Sequence, residues 1–63
     1  ANNLWEVIFM LLEIIYTILS INGDYAYCMS EQGSYTNIAL ALLPDDIDEG
    51  DKVKFSNFSY EKI

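Results

Sequence analysis

Asn37–Phe55, NIALALLPDDIDEGDKVKF, is the stretch whose reading decides the fold. A strand candidate runs into Leu42-Leu43-Pro44, an acidic turn follows, and Gly50-Asp51 reopens an extended run at Val53 and Phe55. Pro44 has no N–H and a fixed φ, so a strand ladder is expected to stop there. Gly50 tolerates φ > 0 and suits the exit from the turn.

Outward from this stretch, the flanking chain supplies strand partners. Tyr25 to Met29 reads as a strand, and Glu31-Gln32-Gly33-Ser34 as a turn with Gly33 as its breaker. Tyr35 to Leu42 reads as the next strand, with Ile38, Leu40 and Leu42 on one face and Ala39 and Ala41 opposite. Lys52 to Phe55 gives a fourth strand, and Phe58 to Ile63 a fifth, joined through Ser56-Asn57. Short, closely spaced strands with turn signals between them predict a small barrel.

Leu4 to Ile21 is the most apolar segment and carries two signals. Glu6, Glu13 and Ser20 recur at a helical period, and Asn3-Leu4-Trp5-Glu6 resembles a capping box. Against that, Ile14-Ile15-Tyr16-Thr17-Ile18-Leu19 is rich in β-branched residues, and Asn22-Gly23 is a hairpin signal. One helix over the whole segment, ending at Asn22-Gly23, is one reading; the favoured one is an apolar helix over about residues 3–11 and a strand over about 13–21. Glu6 and Glu13 would each cost on the order of 2.5–3.5 kcal/mol at a bilayer centre, which argues against a membrane span.

The 63 residues allow one domain, residues 1–63, with a small core. One cysteine excludes an intrachain disulfide, and a lone thiol without histidine makes a poor zinc site. Oligomerisation or a partner chain is then the expected source of extra stability. Leu4, Trp5, Ile8, Phe9 and Leu12 are the candidate interaction residues, because the barrel cannot cover so large an apolar load. The chain is therefore expected not to be a stable monomer. Ten acidic residues against three lysines give a net charge of −7, which argues against nucleic acid and against anionic membranes. The lone cysteine and the missing signal-peptide pattern point to the cytoplasm.

Asp45, Asp46, Asp48, Glu49 and Asp51 are the dense cluster of possible oxygen ligands. Their spacing fails the EF-hand pattern, since Gly50, Asp51 and Asn57 fall where ligand, glycine and glutamate are needed. A solvated acidic turn is the expectation. Cys28 has no histidine to activate it and reads as a small buried strand residue. Most of the aromatics read as core, with a protein-binding face of tyrosines as the other use. No metal, cofactor or covalent chemistry is expected of this chain, and it is read as non-enzymatic.

Several pieces carry a family resemblance: Ile21-Asn22-Gly23-Asp24-Tyr25-Ala26, Leu40-Ala41-Leu42-Leu43-Pro44-Asp45, Glu49-Gly50-Asp51-Lys52-Val53 and Glu61-Lys62-Ile63. From about Ile14 to Ile63 the chain resembles the HypC/HupF hydrogenase-maturation chaperones. A short uncharacterised bacterial family shares the same landmarks. The resemblance implies a small OB-like or SH3-like β-barrel. Those chaperones open with Met-Cys, and the cysteine handles the iron centre and contacts the hydrogenase large subunit. Here Leu11 follows Met10, so the cysteine is absent.

The expected fold is thus mainly β, a small barrel of about five short strands with an N-terminal apolar helix. The expected function is a non-enzymatic protein-interaction or assembly module, with a protein partner or a homo-oligomer. A diverged HypC-type chaperone and a small acidic inhibitor of a basic partner are the alternatives.

Overall fold

A computed structural model describes residues 13–63. Five strands, β1 (Ile14–Asn22), β2 (Tyr25–Ser30), β3 (Tyr35–Ala39), β4 (Lys52–Ser56) and β5 (Ser59–Lys62), are joined in chain order, with one 3₁₀ turn over Leu40–Leu42 between β3 and β4. They form one antiparallel sheet in the order β3-β2-β1-β4-β5. The helix expected over residues 3–11 lies outside the described residues, as do Leu4, Trp5, Ile8, Phe9 and Leu12.

β1 is the central strand because its sequence suits burial on both faces. Ile14, Ile15, Thr17, Ile18 and Ile21 are β-branched, and the flanking strands give it a partner on each side. The register lines up three rows on one face: Val53, Tyr16 and Ser30; then Ile18, Cys28 and Thr36; then Ile21, Ala26 and Ile38. Between the second and third rows the register shifts by one residue, which leaves Leu19 as an extra residue in β1. The bulge keeps both Ile18 and Ile21 on the core side, although three positions separate them.

Ile18, Ala26, Cys28, Ile38, Leu43 and Val53 form the buried core. Leu40 and Ile47 pack against it from the connection between β3 and β4, which covers the inner face with loop in place of a second layer. Tyr16, Phe55 and Tyr60 extend the same face as an aromatic group. Tyr60 lies 4.8 Å from Phe55 and 6.2 Å from Tyr16 between ring centroids.

Three expectations need correcting. The sheet does not close into a barrel: among the described residues β3 and β5 are opposite edges and do not pair. With five and four residues they are short, and three strands stand between them. Leu40, Leu43 and Ile47 of the β3–β4 connection occupy the inner face that a closed barrel would bury. Second, β3 stops at Ala39, where a strand to Leu42 was expected. The backbone turns into the 3₁₀ segment and leaves Leu42 exposed, so the Ile38, Leu40, Leu42 alternation does not form. Pro44 therefore follows a ladder that has already ended. Third, the two hairpin turns each sit one residue later than read. Gly23-Asp24 are the central residues of the first, and Asn57-Phe58 those of the last.

The turn chemistry explains these positions. Gly23 has φ +58 and Asp24 does not have positive φ, the pattern of a type II′ hairpin with glycine at its first central position. Asn57 and Phe58 both have positive φ, as a type I′ turn demands. At the exit of the acidic turn, Gly50 has φ +89 and the Asp51 N–H donates to the Asp48 carbonyl at 3.1 Å, as in a type II turn. The Gly50 N–H donates to the Ile18 carbonyl at 2.8 Å, and the Ile18 N–H donates to the Asp51 carbonyl at 2.9 Å. Two residues thus oppose one, a bulge with glycine at its first position. It fastens the loop to the central strand.

Candidate functional site

The acidic turn was one candidate. Asp45, Asp46, Asp48 and Glu49 are exposed and Asp51 is half-buried. Its carboxylates are engaged in the turn itself. Asp48 Oδ1 accepts from the Glu49 N–H at 2.7 Å, and Asp51 Oδ2 accepts from the Asp48 N–H at 2.8 Å. Lys62 reaches back from β5, with Nζ 3.5 Å from Asp51 Oδ2 and 3.7 Å from Asp46 Oδ2, and donates to the Asp46 carbonyl at 3.1 Å. An ammonium thus already sits among the oxygens that a cation would need. Among the described residues no group of three or more His, Cys, Asp or Glu side chains converges as a metal site.

Cys28 is fully buried in the middle of the sheet, where its thiol donates weakly to the Ala26 carbonyl at 3.4 Å. Burial pushes its pKa up, the reverse of what a nucleophile needs. Tyr60 is also pushed up, first by burial and then by the neighbouring Tyr16 and Cys28.

A cleft of about 290 Å³ opens on the inner face and is lined by Ile14, Tyr16, Ser30, Gln32, Ser34 and Thr36. Its polar groups are hydroxyls and one amide, and Ser30 Oγ already accepts from the Ser34 N–H at 3.1 Å. That lining holds no carboxylate, amine or thiol to act as acid, base or nucleophile at neutral pH.

The outer face is different. The register places Tyr27 opposite Asn37, Tyr25 opposite Ala39, and Met29 opposite Tyr35. Tyr25, Tyr27 and Tyr35 are 54%, 38% and 59% exposed on this one face of β2 and β3. The Tyr27 and Tyr35 rings stack with centroids 5.6 Å apart and planes 9° from parallel. Such a stack is worth about 0.5–1.5 kcal/mol, so the rings are held in place before any partner arrives. No charged residue lies within β2 or β3.

All three lysines lie on β4 and β5, on the other side of the sheet. Lys54 pairs with Glu13 at 3.1 Å and Lys62 with the acidic turn, so both ammonium groups are engaged by carboxylates.

The sequence reading assigned most aromatics to the core. The signal for Tyr25 and Tyr27 was the alternation Tyr25-Ala26-Tyr27-Cys28-Met29: Ala26 and Cys28 are small enough to be the inward set, which turns the tyrosines outward. A comparison of the chain with protein-family models, characterised proteins and solved structures finds no match. Among the described residues, no helix is long and apolar enough to cross a membrane.

Proposed function

We propose that this chain is a non-enzymatic protein-interaction module that offers the outer face of β2 and β3 to a protein partner. The observation that carries the reading is the uncharged tyrosine face, with Tyr25, Tyr27 and Tyr35 more than a third exposed and two of them stacked. Tyrosines give large, rigid contact area with a hydroxyl at the rim, and they lose little entropy on docking. Burial of Cys28 keeps the described thiol away from any partner's metal centre, which supports an interaction role over the chaperone chemistry of the HypC type.

The test compares wild type with a Tyr27→Ser/Tyr35→Ser variant, each immobilised and exposed to lysate of the source cell. Circular dichroism first checks that the variant keeps its sheet. The expected outcome is a protein retained by wild type and lost from the variant. Identical retention by a folded variant would refute the tyrosine face.

A further inference from the structure

The hydrogen-bond parity of β3 carries one step more. The Ser30 N–H donates to the Ser34 carbonyl at 2.8 Å, and the Leu40 N–H donates to the Asp24 carbonyl at 2.8 Å. These two contacts flank the β2–β3 ladder and fix its alternation. Ala26 with Ile38 and Cys28 with Thr36 are then the hydrogen-bonded pairs. Tyr35, Asn37 and Ala39 are the alternate residues, whose main-chain groups point away from β2, out of an edge that pairs with no other strand among the described residues.

The two edges of the sheet are not alike. β5 is four residues long and carries Glu61 and Lys62. Both edge strands are short, so charge is the protection that sets β5 apart. β3 has neither charge nor proline, its register with β2 is regular, and Tyr35, Thr36 and Asn37 are exposed. In a chain of net charge −7, this is an uncharged, regular edge with its donors and acceptors turned outward.

We infer that β3 is the site at which a second copy of this chain adds to the sheet, edge to edge and antiparallel. The inference deepens the interaction-module reading by naming a partner. The outward set is self-complementary about Asn37. A two-fold axis there faces Asn37 with Asn37 of the second copy, so that each N–H donates to the other carbonyl. The Ala39 N–H of each chain meets the Tyr35 carbonyl of the other. The inner faces stay on the same side, and the stacked Tyr27–Tyr35 pairs become one uncharged strip across both chains. A second copy fits because a homotypic contact must avoid like charge, and β3 avoids it. An acidic or basic partner would have no ion pair to gain along this edge.

The experiment is sedimentation velocity on the full chain from about 10 µM to about 1 mM, the range of weak interfaces. Wild type is expected to pass from monomer to dimer. Asn37→Lys and Asn37→Asp each set like charge against itself at the axis and are expected to weaken the dimer about tenfold or more. An equimolar mixture of the two is expected to restore it, because lysine then faces aspartate. As a readout free of variants, amide exchange at Asn37 and Ala39 of wild type is expected to slow with concentration. Wild type that stays monomeric at about 1 mM with concentration-independent exchange overturns the inference. So does a dimer that ignores both variants, or a mixture no tighter than either alone. If the tyrosine-dependent capture described above persists while self-association fails, the edge contact is wrong and the module reading stands.

Discussion

Replacing Gly50 isolates one backbone conformation from all packing. Its φ is +89, and a Cβ built there meets no atom within 4 Å, so nothing but the main chain opposes a side chain. An L residue at positive φ is disfavoured by roughly 1–2 kcal/mol. Losing glycine also restricts the unfolded chain, which returns about 0.4–1 kcal/mol. The net for Gly50→Ala is thus a loss of about 1 kcal/mol. Gly50→Val adds a branched Cβ and should lose about 2 kcal/mol or more. Part of that loss is structural, since the same residue donates to the Ile18 carbonyl at 2.8 Å and starts the bulge that fastens the loop to β1. For a domain this small, about 1 kcal/mol corresponds to roughly 4–8 °C in melting temperature. Urea midpoints at unchanged slope measure the difference. Pro44→Ala is the companion, because Pro44 belongs to no strand, and it should lose less than about 1 kcal/mol. A Gly50→Val midpoint equal to wild type would show that the turn geometry described above is wrong.

Three further outcomes are expected. Ile18→Ala, at the centre of the core and 1% exposed, should lose about 2–5 kcal/mol, against about 0.5–1.5 kcal/mol for Ile18→Val, in chemical denaturation. Equal losses would mean that the site collapses around the cavity. On raising the pH, Cys28 and Tyr60 should release protons more readily unfolded, from their ordinary values of 9.0 and 10.0, than folded, where both are pushed up. The unfolded state then binds fewer protons, so stability is full below about pH 9 and declines above it, toward the raised folded values. Cys28→Ala should remove the part of the decline that begins first, and thermal melts in steps from pH 8 upward show whether it does. Finally, calcium should leave the melting temperature unmoved at millimolar concentration, because Lys62 holds the acidic turn. A saturable upward shift would reveal a site that the turn geometry does not display.

Much of the sheet could be read from composition and turns. Gly23, Gly33 and Gly50 all have positive φ and all mark breaks between strands, as their spacing in the sequence implied. β1 was ambiguous for a physical reason. The bulge at Leu19 brings Ile14, Ile18 and Ile21 to one face, and that spacing of four then three is also the spacing of a helix. β-branching and the hairpin signal favoured the strand there. The end of β3 was not legible, because Ile38-Ala39-Leu40-Ala41-Leu42 alternates as a strand would. Tertiary packing of Leu40 and Leu43 against the core bends it into a 3₁₀ turn. The barrel followed from counting strands, and a count carries no information on whether the edges meet. Of the candidate site, the acidic turn lies in the loop before β4 with Asp51 half-buried, whereas the tyrosine face needed the register to show which way β2 points.

Cys28 makes the molecule its own clock. The thiol is fully buried in β2, flanked by β1 on one side and by Thr36 of β3 on the other. A thiol-directed reagent can reach it only after the β3–β4 connection lifts off the inner face, β3 peels away or the whole sheet opens. Its rate of modification therefore counts opening events, with no label added and no second cysteine to confuse the signal. Comparing that rate with the global unfolding equilibrium would tell whether the connection or the edge strand opens ahead of the rest of the sheet.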